Sequence, residues 1–263
     1  MRVALKFGYN GLSYHGYARQ PHLPTIEGSI ISHLQSHDLI TTPTKAQLRS
    51  ASRTDKGVSS LGNVIAFNTK DAEHIDIETL NKDLFDIFFT SKHIASDDFY
   101  PRYANSRRYQ YFLLKKDYYC TKRIQETFML FVGTHDFSNF ARIEVGKNPV
   151  RTIDEIRLEE TADFLIFSFC AQTYLWNQIR RIISAILQVE ERKTTQKQIQ
   201  EALDFPMQKR DFRLGPSYPL ILTDVHYDNL TFTEHRTAKK NKDALIANLK
   251  NYIKNQAETP MQT

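Results

Sequence analysis

The run Ser50-Ala51-Ser52-Arg53-Thr54-Asp55-Lys56-Gly57-Val58-Ser59-Ser60-Leu61-Gly62-Asn63 gathers two cations, one carboxylate and two glycines. A carboxylate held beside a guanidinium stays ionised, and an ionised, oriented aspartate serves as a nucleophile or a base. The same Thr54-Asp55-Lys56-Gly57 also reads as an ordinary turn in which Gly57 supplies a positive φ. His135-Asp136 invites a general-base reading. The chain's two cysteines, Cys120 and Cys170, lie 50 positions apart and form no metal motif and no disulfide framework. Such cysteine usage fits a reducing, cytoplasmic setting.

The elements that must position Asp55 follow from periodicity. Val3 to Phe7 alternates as a strand, and a loop rich in Gly, Tyr and His runs from Gly8 to Pro24. Thr25 caps a helix with Ile26, Ile30, Ile31 and Leu34 on one face. Asn63 to Thr69 reads as a strand, and Asp76 as the cap of a helix whose apolar face is Ile77, Leu80, Leu84, Ile87 and Phe88. Arg107 to Leu114 is a strand with Tyr109, Tyr111 and Leu113 on one side. Ile153 to Leu158 and Phe164 to Cys170 pair across a turn at Thr161-Ala162-Asp163. Tyr174 to Val189 is the strongest helix, striped by Leu175, Ile179, Ile182, Ile183 and Ile186. Thr194-Thr195 caps a shorter helix with Ile199, Ala202 and Leu203, and Leu220 to Tyr227 is the final strand. From about Glu234 the chain is polar and Lys-rich and reads as a solvated helix with Leu245, Leu249 and Ile253 four apart, its last six residues frayed. Strands mixed with helices through hairpin-like connections predict an α+β fold with antiparallel sheet.

Composition narrows the class. A hydrophobic content of 41% over 263 residues supports a packed core, and nine Gly with nine Pro exclude collagen-like and Gly/Pro-rich low-complexity chains. No apolar run approaches the length needed to span a bilayer, and Met1 to Lys6 alternates rather than forming a signal-peptide core. A net charge of +5 is compatible with a phosphate-rich partner.

Arg53-Thr54-Asp55-Lys56-Gly57-Val58 resembles the R-T-D-x-G-V motif of the tRNA pseudouridine synthase A family. Further matches follow in the family's order. Tyr14-His15-Gly16-Tyr17-Ala18-Arg19-Gln20-Pro21 is similar to Y-x-G-W-x-R-Q-P, and Thr25-Ile26-Glu27-Gly28 to T-V-x-G. Arg107-Arg108-Tyr109-Gln110-Tyr111 is similar to R-x-Y-x-Y, and Gly133 to Phe140 to G-x-H-D-F-x-x-F. Tyr174 to Arg180 is similar to F-L-x-x-M-V-R, and Gly215 to Leu220 to A-P-x-x-G-L. Ser52, Ser59, Gln178 and Pro219 depart from the family's Gly, His, Met and Gly, while Lys56 in place of Ala is nearer the archaeal and eukaryotic branch.

The resemblance implies isomerisation of uridine to pseudouridine in or near the anticodon stem-loop of tRNA, with no cofactor and no metal. It implies two ferredoxin-like (RRM-like) halves, about 1–105 and 106–233, followed by a tail over 234–263. Their sheets would join into one continuous, mixed, mainly antiparallel sheet, flanked by helices around a basic cleft. Asp55 becomes the catalytic carboxylate, acting at C1′, at C6 or on a ribose proton. Arg180 becomes its counter-cation, Tyr109 the residue that stacks on the extruded base and Leu220 the cover of its other face; Arg53, two residues from Asp55, is placed to aid flipping or to pair with Asp55 itself. Lys6, Arg19, Lys45, Lys56, Arg102, Arg107, Arg108, Arg142, Lys147 and Arg151 become candidates to grip phosphate. His135-Asp136 becomes a turn without catalysis. The partners implied are tRNA and a second copy in a homodimer, with no membrane. A non-catalytic RNA-binding protein on the same fold, and a hydrolase using Asp55 with Asp136 or Asp154, are the rival readings.

Overall fold

The computed structural model describes residues 1–258; the fraying expected of the last residues lies, for 259–263, outside them. In chain order the elements are β1 (Arg2–Tyr9), α1 (Ile26–Ser36), β2 (Arg49–Ser50), β3 (Ser59–Asn68), α2 (Ile77–Leu80), β4 (Ile87–Ala95), β5 (Ser106–Leu114), α3 (Thr121–Met129) and β6 (Gly133–Asp136). Then come β7 (Val150–Ile153), β8 (Glu155–Glu160), β9 (Phe164–Ala171), α4 (Gln178–Glu190), α5 (Gln196–Asp204), β10 (Leu220–His226) and α6 (Ala238–Glu258). The fold is α+β, with mixed sheet flanked by helices. The chain divides into one compact unit of Met1–Arg107 with Ile221–Thr263 and another of Arg108–Leu220.

In the first unit β1 pairs antiparallel with both β3 and β4, while β10 joins the far side of β3 in parallel. Alternation along β1 turns Val3, Leu5, Phe7 and Tyr9 to one face, where they meet Ile65, Phe67, Ile87 and Phe89 and the buried stripe of α1. Each such fully buried side chain contributes about 1.5–3 kcal/mol. Thr25 caps α1, its hydroxyl accepting from the Gly28 amide at 3.3 Å. β3 is buried along almost its whole length. It begins earlier than its apolar residues suggest, because Ser59 and Ser60 find buried partners in the Gly11 amide and the Leu222 carbonyl.

Two expectations change here. The helix read from Asp76 to Phe88 is one turn only. Asp76 does cap it, accepting from the Thr79 amide at 2.8 Å. Asn81 then bonds both the amide and the carbonyl of Phe89 in the manner of a neighbouring strand. Ile87 and Phe89 enter the sheet, and Phe85 is left 98% exposed. The C-terminal helix is docked rather than solvated: α6 packs on β4, with Leu245, Leu249 and Ile253 buried.

In the second unit β9 lies between β5 and β8, and β8 and β9 form the expected hairpin, its turn closed by mutual bonds of Thr161 and Phe164. α4 packs against α3 through apolar stripes that include Ile124, Phe128, Ile182 and Ile186. Glu190 is buried at the end of α4 and accepts from Arg123 and the Cys120 amide. α4 starts at Gln178 rather than Tyr174, because Asn177 takes a left-handed φ of 66°. Helix α3 and the separate β6–β7 ribbon have no counterpart in the sequence reading.

Candidate active site

Asp55 sits in the loop that carries the chain from β2 back into β3. β2 is held on β3 at Arg49 opposite Ala66 and Ser50 opposite Ile65, so both ends of the loop are anchored on one strand. Ser52 and Asn63 lock across the loop's base: the Ser52 amide donates to Asn63 Oδ1 at 3.2 Å, and Asn63 Nδ2 donates to the Ser52 carbonyl at 3.0 Å. At the tip, Gly57 takes a φ of 86°, a conformation that suits glycine, and the Val58 amide closes onto the Asp55 carbonyl at 3.2 Å. Asp55 and Thr54 are half-buried, while Arg53 and Lys56 on either side are exposed.

The Gly8–Pro24 loop braces this turn from behind. Tyr9 and Thr54 share a hydroxyl–hydroxyl bond of 2.8 Å, the Tyr17 amide donates to the Thr54 carbonyl at 3.0 Å, and the Tyr17 hydroxyl donates to Ser50 at 2.6 Å. Burial pushes the Tyr17 phenol far above its ordinary range, so it stays a neutral donor. Gly11 lies so close that a Cβ there would come within 2.1 Å of the Val58 carbonyl oxygen. Two loops far apart in the chain thus form one rigid mount for the carboxylate.

Arg107 completes the mount. It is only 7% exposed; its Nε donates to Ser52 Oγ at 3.0 Å, and its Nη2 donates to the carbonyls of Ala51 at 3.0 Å and Arg102 at 2.9 Å. Expected to grip phosphate, it turns inward and spends these donors on the protein's own chain.

In the second unit, three segments converge: β5, the first turn of α4, and the stretch from Gly215 to Leu220. The Phe112 amide donates to the Pro219 carbonyl at 3.0 Å, and the Tyr111 hydroxyl donates to the Pro216 carbonyl at 3.3 Å. Arg180 Nε donates to the Gly215 carbonyl at 2.8 Å and its Nη1 to Asn177 Oδ1 at 3.2 Å, while the Gly215 amide returns to the Arg180 carbonyl at 3.3 Å. Tyr109, two residues before Tyr111 and on the same side of the strand, is 9% exposed and meets Tyr174 edge-on at 5.3 Å. Leu220 is buried at the start of β10. Tyr109, Arg180 and Leu220 therefore hang on one knitted cluster, although they lie up to 111 positions apart (220 − 109).

Arg180 and Arg181 stand in the first turn of α4, a turn with no acidic residue of its own, and Arg181 reaches Asp211 at 3.0 Å. The helix dipole disfavours cations there by a few tenths to about 1 kcal/mol. An arginine fixed in such a place by a carbonyl and an amide oxygen concentrates positive potential suited to an anionic group.

Sequence comparison fits this geometry. A family profile described as tRNA pseudouridine synthase matches residues 128–228. The "tRNA pseudouridine synthase A" of Pyrococcus furiosus is 34% identical over 253 residues, covering 95% of this chain and 93% of that protein. Its namesake from Pyrococcus abyssi is 37% identical over 243 residues, 91% and 90% of the two chains. The one from Pyrococcus horikoshii is 36% identical over 240 residues, 90% and 89%. This chain belongs to the tRNA pseudouridine synthase A family. It is accordingly an isomerase, and its similarity to archaeal members agrees with Lys56 in the Asp55 motif.

The remaining candidates fall in different places. Lys45, Lys56, Arg102, Arg108 and Lys147 are exposed. Arg19 is exposed beside Glu27 at 3.6 Å. Arg151 bends back to the carbonyls of Asn148 and Val150, and burial lowers its pKa. Lys6 pairs with Asp224 and lies against Phe232, so its charge is satisfied within the fold. His135 and Asp136 lie in β6; His135 Nε2 is 3.0 Å from the Val132 carbonyl, and Asp136 accepts from the Ser138 amide, both local contacts of a turn. Sequence reasoning gives no role to Asn63, which ties the base of the Asp55 loop, or to Gly215 and Asn177, whose carbonyl and amide oxygens hold Arg180. A carbonyl leaves no trace in sequence, but the left-handed φ of Asn177 fits a residue type that tolerates it.

Proposed function

We propose that the enzyme converts uridine to pseudouridine in the anticodon stem-loop region of tRNA, with Asp55 as the catalytic carboxylate. The reaction breaks the N1–C1′ bond, turns the uracil, forms the C5–C1′ bond and releases the C5 proton while N1 gains one. The observation that carries the reading is the rigid mount of Asp55: a half-buried carboxylate in the family motif, braced by two loops and a buried arginine. Such pre-organisation is what a nucleophile or base needs.

The motif match supplies the roles of Arg180, Tyr109 and Leu220, and placement and charge those of the remaining cations. Arg180 acts as counter-cation to the carboxylate, Tyr109 stacks on the extruded base and assists loss of the C5 proton, and Leu220 covers the opposite face. Arg53 offsets the few kcal/mol needed to pull the base from its stack. Exposed cations such as Arg19, Lys56 and Arg108 hold phosphates without reading sequence. The resemblance also carries a homodimer and a cytoplasmic setting; sedimentation with and without tRNA tests the first.

The decisive experiment follows tritium release from unmodified tRNA labelled at uridine C5. Wild type releases tritium, and Asp55→Ala loses release by at least about a thousandfold while still binding tRNA. Binding without release by wild type would identify a non-catalytic RNA-binding protein, and chain cleavage or free uracil a hydrolase.

A further inference from the structure

Trp176 and Arg142 form a pair that the reaction above does not use. Trp176 is 43% exposed, and Arg142 lays its guanidinium over the indole, with Cζ 4.2 Å from the ring centroid. The main chain fixes them together: the Arg142 amide donates to the Trp176 carbonyl at 2.8 Å in an isolated antiparallel bridge. The left-handed turn at Asn177 keeps Trp176 out of α4 and on that bridge. The stacked guanidinium and indole stabilise each other, and the main-chain bridge holds the two flat groups together at a partly exposed position.

We propose that this pair is a stacking platform for one unpaired base of the RNA substrate. The inference rests on the reading that the substrate is RNA. A guanidinium lying on an aromatic ring presents a flat, cationic, amphipathic surface, and unstacked bases settle on arginine planes and tryptophan rings. A phosphate would need only the edge of the guanidinium and no indole. On the segment that follows Arg142, Glu144 and Lys147 are both exposed, so this stretch carries no net charge of its own to favour a phosphate over a base. The platform adjoins Asn177, whose side chain holds Arg180, so a base placed there flanks the anchored arginine.

Trp176 is the chain's single tryptophan, so its fluorescence, excited at the red edge of tyrosine absorption, reads the platform alone. Unmodified tRNA should quench it saturably, and a fully paired RNA duplex of equal length should quench it much less. Trp176→Leu should weaken tRNA binding and raise KM by about tenfold with kcat at saturation little changed, and Trp176→Phe should restore most of the affinity. Arg142→Gln, which leaves the ring and the main-chain bridge in place, should lose affinity several-fold.

Any of four results overturns the platform: unchanged emission at saturating tRNA, equal quenching by the duplex, wild-type affinity of Trp176→Leu, or a fall in kcat with affinity intact. Failure of the isomerase reading looks different, since wild type would then release no tritium whatever the fluorescence does.

Discussion

Gly57 shows how much one residue decides. Its φ of 86° turns the chain directly after Asp55 and Lys56, and the Val58 amide closes onto the Asp55 carbonyl. A side chain at that φ destabilises by roughly 1 kcal/mol or more. Gly57→Ala should therefore lower the urea midpoint modestly yet cut kcat disproportionately, since a carboxylate displaced by an ångström loses about a hundredfold in rate. An equal proportional loss in stability and rate would argue against a mount whose purpose is positioning. The Asp55 motif was legible in the sequence because its residues are contiguous. The surroundings of Arg180 were not, because its partners include a carbonyl 35 positions away and an amide oxygen on the preceding turn.

At the scale of elements, Arg107 ties the start of β5 to the base of the Asp55 loop. Arg107→Ala would leave the carbonyls of Ala51 and Arg102 and the hydroxyl of Ser52 short of a donor, each buried group costing about 1–3 kcal/mol. The expected loss is about 3 kcal/mol, read as a lower urea midpoint at unchanged m-value, with tritium release falling as the loop loosens.

His33 links α1 to α2 through the Leu80 carbonyl, 2.7 Å from its Nε2. Burial lowers its pKa below the ordinary 6.5, and His37, with ring centroids 4.6 Å apart, pushes the same way. The unfolded chain thus takes up this proton first as pH falls. The contribution of neutral His33 is complete above the ordinary value, is lost as pH drops below it, and levels off once the folded pKa is passed. Urea midpoints measured between about pH 7.5 and pH 5 should fall, and His33→Gln should flatten that slope. The helix read through Phe88 failed because sheet packing outweighed its local pattern. Its apolar spacing suited a helix, but Ile87 and Phe89 gained more by entering the sheet beside β1, where they join the core.

For the molecule as a whole, the charge of +5 sets a background attraction to nucleic acid. Binding of tRNA should weaken linearly on a log–log plot against salt. Lys56→Ala should make that slope shallower by about one and weaken all tRNAs alike. An unchanged slope would remove Lys56 from the phosphate contacts. The two compact units are also a property of the whole chain: from Ile221 it returns to the first unit, because β10 pairs in parallel with the start of β3.

The amino-acid sequence alone determined the family, the Asp55 motif that marks it and most strands and helices, since contiguous motifs and local periodicity encode those directly. Tertiary structure decided which cations face inward, as with Arg107 and Lys6, and where α4 and β4 begin. It also decided that Trp176 lies under Arg142. Those outcomes depend on carbonyls, ring faces and burial contributed by residues far away in the chain, and no local pattern of side chains carries them.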